Sequence, residues 1–273
     1  EAEQYAASLA NQGTAIFVSF GGIIAVFAIL NIKYSLIAIL LIGSYLFAEF
    51  SFNKKIRKGR AILNIKFKRA ISESMRGFYQ SRYVLPNGSN KVMATTQFEP
   101  NDARRAFPCF DEPDFKAKFS ITLRIKKELD ALSNMPIKSQ KINEDIKEII
   151  FDETPRMSTY LVAFIIGEFE YVEGKTKDKT IVRVITTPGK KLHGTFALDI
   201  AIKSLEFYNS YFKIPYPLPK LDLIAIPDFE SGAMENWGLI TYRETALLID
   251  DKNSSAATKQ RVLNPLGIFH HPT

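Results

Sequence analysis

From Gly13 to Ala48 the sequence carries a single charged residue, Lys33. Few environments accept such a stretch: a bilayer, or the centre of a core where no side chain meets water. Residues 14–30 (TAIFVSFGGIIAVFAIL) are apolar all round, and residues 34–48 (YSLIAILLIGSYLFA) repeat that character after Asn31-Ile32-Lys33. A membrane-spanning helix takes about 20 mostly apolar residues, with a lower limit near 17. The first run just reaches that limit and the second falls short. Three readings stay open: a membrane hairpin turning at residues 31–33, one span plus a buried strand, or two core strands, since Ile, Val and Phe also form strands. Membrane association through residues 14–48 is narrowly favoured. Glu1 and Glu3 precede the segment, while Lys54, Lys55, Arg57, Lys58 and Arg60 come after it. The positive-inside tendency would then keep the chain beyond the segment on the cytoplasmic side. A secretory signal peptide would need basic residues ahead of the apolar run, and none stand there.

Charge divides the chain at the same place. Residues 1–52 hold three acids and one base, net −2, so the overall +7 is carried by residues 53–273, net +9. The basic residues are scattered among acids and apolar stretches with no aromatic-interleaved stripe, so no nucleic-acid partner is expected. One cysteine, Cys109, excludes a disulfide framework and any cysteine-based zinc cluster.

Past residue 52 the pattern becomes that of strands. Alternation predicts them over 61–68, over 77–83 leading into a Pro86-Asn87-Gly88 turn, and over 92–98. Further strands are expected at 119–125, 148–151, 160–166 and 180–185, with a polar connection around 139–145. The period then lengthens. Residues 193–212 put Phe196, Ile200, Leu205, Tyr208 and Phe212 near one helical face, and Pro215-Tyr216-Pro217-Leu218-Pro219 stops the helix. Strands come next at 221–226 and 238–242. The expected architecture is α+β: an apolar segment (1–52), a β-rich domain (53–187), and the beginning of an α/β domain (188–273). With few helices to cover them, the strands at 221–226 and 238–242 are expected to expose apolar surface and unpaired edges.

Two acidic motifs carry the chemistry. One is Thr96-Gln97-Phe98-Glu99-Pro100-Asn101-Asp102-Ala103-Arg104-Arg105-Ala106-Phe107-Pro108-Cys109-Phe110-Asp111-Glu112-Pro113. The other is Asp228-Phe229-Glu230-Ser231-Gly232-Ala233-Met234-Glu235-Asn236-Trp237-Gly238. Together with Pro155-Arg156-Met157-Ser158-Thr159-Tyr160-Leu161-Val162-Ala163-Phe164, Tyr216-Pro217-Leu218-Pro219-Lys220 and the stretch at 239–248, in that order, they make the chain resemble the gluzincin zinc aminopeptidase family. The likeness is greatest to its puromycin-sensitive branch and runs from about residue 50 to residue 262. The resemblance implies a β-rich N-terminal aminopeptidase domain followed by the start of a thermolysin-like catalytic domain. It also implies an exopeptidase that removes N-terminal residues from peptides with one zinc ion, and a cytoplasmic location unless the apolar segment anchors the chain in a membrane.

An aminopeptidase must recognise a free α-ammonium, and carboxylates in a partly desolvated pocket supply charge-assisted hydrogen bonds to it. By resemblance Glu235 is the principal anchor and Glu99 the second. Gln97 lines the pocket for the first side chain, and Met234 is a soft wall. Gly232 and Ala233 let substrate backbone approach and pair edge-on, and Asn236 orients the loop. Asp102, Arg104, Arg105, Asp111 and Glu112 read as an ion-paired structural turn, Cys109 as a buried small hydrophobe, and Trp237 as core or pocket wall. Asn87-Gly88-Ser89 and Asn253-Ser254-Ser255 match the glycosylation pattern and are discounted, because the branch is cytosolic.

The family carries H-E-x-x-H soon after the stretch matching residues 253–262, with two histidines on one helical face and a glutamate that activates zinc-bound water. The chain's histidines are His193, His270 and His271. The last two are adjacent, about 100° apart on a helix, and Pro272 comes directly after them. The expectation is a chain truncated before the zinc motif, with no catalytic or metal-ligating residues of its own. Zinc is the family's cofactor and is not expected here. Its expected partners are peptides with a free N-terminus. Three functions stay open: an inactive fragment of a zinc aminopeptidase, a noncatalytic isoform binding peptide N-termini or a protein partner, and a membrane-anchored interaction module.

Overall fold

A computed structural model of the chain describes residues 62–250, 254–260 and 262. The apolar segment at 14–48 and the pair His270-His271 lie outside the described residues. Among the described residues no helix is long and apolar enough to cross a membrane.

The predicted hairpin forms. β1 (Gly77–Val84) and β2 (Asn90–Gln97) pair antiparallel, and β1 alternates buried and more exposed positions as a half-buried strand should. Its turn needs glycine: Gly88 has φ +83°, and its N–H donates to the Leu85 carbonyl (2.9 Å). β2 continues into a four-stranded antiparallel sheet of order β1-β2-β7-β4, with β4 at Asp130–Ser133 and β7 at Phe164–Gly167. A second sheet has the order β3-β6-β5, from β3 (Thr122–Lys126), β5 (Ile137–Asn143) and β6 (Ile146–Phe151).

Two sequence expectations fail in this part. Residues 62–70 form no strand, and Ile62, Leu63, Ile65 and Phe67 are exposed; alternation alone gives no strand without a partner to pair with. Conversely the polar connection expected around 139–145 is mostly β5, a sheet-edge strand exposed at every position, closed onto β6 by a turn with Glu144 at φ +52°. A wet edge strand needs only backbone pairing, so its sequence has no apolar alternation to read.

The third sheet is mixed and positions the site. Its order is β11-β12-β10-β9-β8, from β8 (Glu170–Lys175), β9 (Ile181–Thr186), β10 (Lys220–Ile226), β11 (Ala233–Met234) and β12 (Leu239–Arg243). β9, β10 and β12 run parallel, with β8 and β11 antiparallel on the outside. A boundary at 187/188 would therefore pass through this sheet, because β8 and β9 precede it while β10 to β12 come after.

The parallel step from β9 to β10 uses helix α1 (Thr195–Phe212), as a crossover must. Its buried face is Ala197, Ala201 and Leu205, spaced i, i+4, i+8, rather than the aromatic face read from the sequence. Phe196 and Ile200 flank that face, half-buried, while Phe212 is exposed. The contact is too close for aromatics: a Cβ on Gly174 would lie 2.7 Å from Ile202, and one on Gly194 would lie 2.8 Å from Val184. Lys213, in the left-handed region at φ +56°, ends the helix ahead of Pro215.

Every residue of β10 is buried. Leu221, Leu223 and Ala225 pack with the α1 face, while Ile224 and Ile226 join a second cluster with Met93, Phe98, Ile165 and Met234. β12 is buried from Leu239 to Tyr242. The expectation that these strands expose apolar surface is thus overturned, because α1 covers one face and the four-stranded sheet's core covers the other.

Candidate active-site half

Period two decides what each strand end presents. At the end of β2, Phe98 is fully buried and Glu99 beside it is exposed. Gln97 is half-buried, and its Oε1 is buried without a hydrogen-bond partner among the described residues.

The second motif forms the turn between β10 and β12. β1 grips its start: the Tyr79 hydroxyl donates to the Asp228 carbonyl (2.8 Å), and the Arg82 N–H donates to Asp228 Oδ2 (2.7 Å). Arg243 grips its middle. Its backbone N–H donates to the Gly232 carbonyl (3.0 Å), its Nε donates to Phe229 O (2.9 Å), and its guanidinium also reaches Glu230 O. Ala233 and Met234 then make the short edge strand β11 against Tyr242 and Thr241.

Along β11 the alternation sends Met234 fully into the core, leaving Ala233 and Glu235 half-exposed. Met234 is therefore a core residue beneath the loop, not a wall of open space. Asn236 is buried, and its amide donates to Thr241 Oγ1 (3.2 Å). A Cβ on Gly232 would meet nothing within 4 Å, so internal packing does not demand a glycine there.

Glu99 and Glu235 follow strands of different sheets, near enough for the Glu235 charge to act on Glu99. Burial, and then the Glu235 charge, push the Glu99 carboxyl above its ordinary range. The Tyr160 hydroxyl is raised by burial and by both carboxylates, Glu235 the stronger. Two carboxylates that repel across a partly desolvated gap make a site that gains by accepting a cation. Sequence reasoning gives Tyr160 no role. It sits in a single 3₁₀ turn (Thr159–Leu161), so no periodicity marks it, and only the fold brings it to the two carboxylates.

The remaining motif residues are structural. Arg104 donates from its backbone N–H and Nε to Asp111 Oδ2 (2.9 and 3.2 Å), and Arg105 pairs with Asp102 (2.5 Å). Cys109 is half-buried, and burial with the neighbouring Asp111 pushes its thiol up to about 11, which makes it a poor nucleophile. Trp237 packs half-buried against the core. Among the described residues no three His, Cys, Asp or Glu side chains converge as metal ligands, and His193 is exposed. The described residues do not fit a zinc centre, so no step through zinc is derived for them.

The chain is similar to known proteins over most of its length. Residues 45–161 match the Peptidase M1 N-terminal domain, and residues 196–270 match the Peptidase family M1 domain. The chain is 59% identical over 211 residues to aminopeptidase M1-A of Oryza sativa subsp. japonica, covering 77% of this chain and 24% of that protein. It is 52% identical over 202 residues to the puromycin-sensitive aminopeptidase of Caenorhabditis elegans (73% and 21%). It is 56% identical over 190 residues to human endoplasmic reticulum aminopeptidase 1 (69% and 20%). The chain spans about a quarter or less of the length of these curated relatives. Carrying the N-terminal domain and part of the catalytic domain in the family's own order, the chain belongs to peptidase family M1.

Proposed function

We propose that this chain supplies the amine-recognition half of a zinc aminopeptidase site. Glu235 and Glu99 bind the α-ammonium of a peptide with a free N-terminus. The observation that carries the reading is the convergence of these two carboxylates from separate sheets, with Glu235 raising the Glu99 carboxyl. An ammonium group has three donors and one positive charge; placed between the carboxylates it satisfies both and relieves their repulsion. The Gln97 Oε1 acceptor beside Glu99 and the exposed main chain at Gly232 and Ala233 are suited to the first residue of the peptide and to its backbone. Asn236 keeps the loop in place.

The relatives' names support aminopeptidase chemistry for the protein as a whole, and membership of the family implies zinc as the hydrolytic metal. For the 273-residue chain alone we expect binding without turnover, because its three histidines lack the i, i+4 spacing of a zinc-binding helix. Isothermal titration with a short free-amine peptide and its N-acetylated twin tests the reading. The free amine should bind, and acetylation or Glu235→Gln should weaken binding at least tenfold. Equal affinity for both peptides refutes amine recognition, and zinc-dependent release of an N-terminal residue by the chain refutes its inactivity.

A further inference from the structure

Glu99 lies two residues beyond the end of β2 in the four-stranded sheet, whereas Glu235 lies on a turn of the mixed sheet, so something must fix the gap between them. The Trp237 carbonyl, two residues beyond Glu235, is held from the four-stranded sheet, and the Gly238 carbonyl, one residue further, is held by the first residue of β10, which also reaches the end of β4. Asn134, buried directly after β4, donates from Nδ2 to Trp237 O (2.8 Å) and to Leu161 O (2.8 Å), and its Oδ1 accepts from the Ala163 N–H (2.9 Å). The Ala163 donor fixes which way the amide points, so both of its N–H groups face carbonyls. One side chain thereby ties together the Glu235 turn and the segment that carries Tyr160.

Lys220 does the same for the next carbonyl. Its buried Nζ donates to Gly238 O (2.6 Å) and to Ser133 O (2.9 Å), and pairs with Asp222 Oδ2 (2.8 Å), so all three donors are assigned. Asp222 is in turn gripped by both nitrogens of the Arg183 fork (2.7 and 2.6 Å). The backbones are as close as they can be: a Cβ on Gly238 would lie 2.2 Å from the Asn134 carbonyl. Well-packed apolar side chains could join two sheets as firmly as a buried charge network. They could not fix two successive carbonyls to within tenths of an ångström, which directional donors do.

We propose that Asn134 and Lys220 are positioning residues that set the spacing of Glu235 from Glu99 and so tune the site to a primary ammonium. The proposal rests on the amine-recognition reading above. The test uses the full 273-residue chain, Asn134→Ala and Lys220→Met, following two quantities: affinity for a free-amine peptide, and the titration midpoint of the Glu99 side-chain carboxyl by carbon NMR. In variants that keep the wild-type circular dichroism spectrum, affinity should fall at least fivefold. The Glu99 midpoint should fall with it, in the direction expected for Glu235→Gln, because Glu235 has moved away. A merely stabilising role would lower the thermal midpoint and leave both quantities unchanged, which overturns the proposal. If either variant fails to fold, Asn134→Ser, which shortens the side chain without changing its polar character, is read in the same way. If wild type binds acetylated and free peptides alike, the amine reading fails, and the Glu99 midpoint alone decides whether the two residues set the gap.

Discussion

At the residue scale, two glycines of one motif serve opposite purposes. Gly238 stands at φ +74° with the Asn134 carbonyl where its Cβ would be. Gly238→Ala should therefore cost more than about 1 kcal/mol from backbone strain alone, with the clash adding to it. Gly232 has open space in the Cβ direction and an ordinary φ, so Gly232→Ala should change stability by less than about 0.5 kcal/mol. The second substitution should instead weaken peptide binding, if substrate backbone passes there. Urea denaturation and peptide titration of both variants separate these effects. Glu99 adds a pH dependence. Its folded carboxyl titrates above its unfolded value, so its contribution to stability is fully present below the unfolded value and is lost as pH rises through the folded one. Glu99→Gln should match wild type in urea midpoint below about pH 4 and exceed it at pH 7. Peptide affinity should run the opposite way in wild type, falling as acid protonates Glu99. A common pH dependence in wild type and Glu99→Gln would contradict this account.

At the element scale, β9 and β10 are joined by more than their ladder. Arg183 and Asp222 are register partners, and the buried Asp222 carboxylate is held by Arg183 and Lys220. Asp222→Ala strands two cations and should cost on the order of 3–5 kcal/mol. Leu205→Ala, at the buried face of α1, should cost about 2–5 kcal/mol through the cavity it leaves. Chemical denaturation measures both, and a loss under about 1 kcal/mol for Asp222→Ala would mean the network is relieved by solvent.

These elements also show what the sequence can and cannot disclose. β1, β2, β9, β10 and β12 are legible because each buries at least one face and so repeats apolar residues. β5 is not, because an edge strand wet on both faces has no pattern to show. The α1 face misleads because aromatic size suggests burial, while close approach to the sheet selects alanine. The proposed site residues Gln97, Glu99, Gly232, Ala233, Glu235 and Asn236 are read from ordered motifs. Tyr160, Asn134 and Lys220 escape sequence reasoning as functional groups, since their roles exist only once distant stretches of the chain are folded together.

At the scale of the whole molecule, the described residues from Ile65 onward form one compact unit. One core cluster draws Met93, Phe98 and Ile165 from the four-stranded sheet and Ile224, Ile226, Met234 and Leu239 from the mixed one. The stretches matching the two family domains should therefore unfold in a single transition seen alike by far-ultraviolet and near-ultraviolet circular dichroism. A chain beginning at residue 188 would lose β8 and β9, exposing a long side of β10, and should give poorly dispersed NMR spectra. Two resolved transitions, or a folded 188–273 piece, would contradict the shared core.

The join between the sheets is short. Only Glu168 and Phe169 separate β7 from β8, with Glu168 paired to Lys91 on β2 (2.6 Å) and Phe169 packed into the core. There is no hinge here about which the carriers of Glu99 and Glu235 could swing. In the proposed reading the pair is set like a calliper rather than a jaw, its spacing laid down by the fold before an amine arrives. A bound amine would then be held without a closing movement of the two sheets.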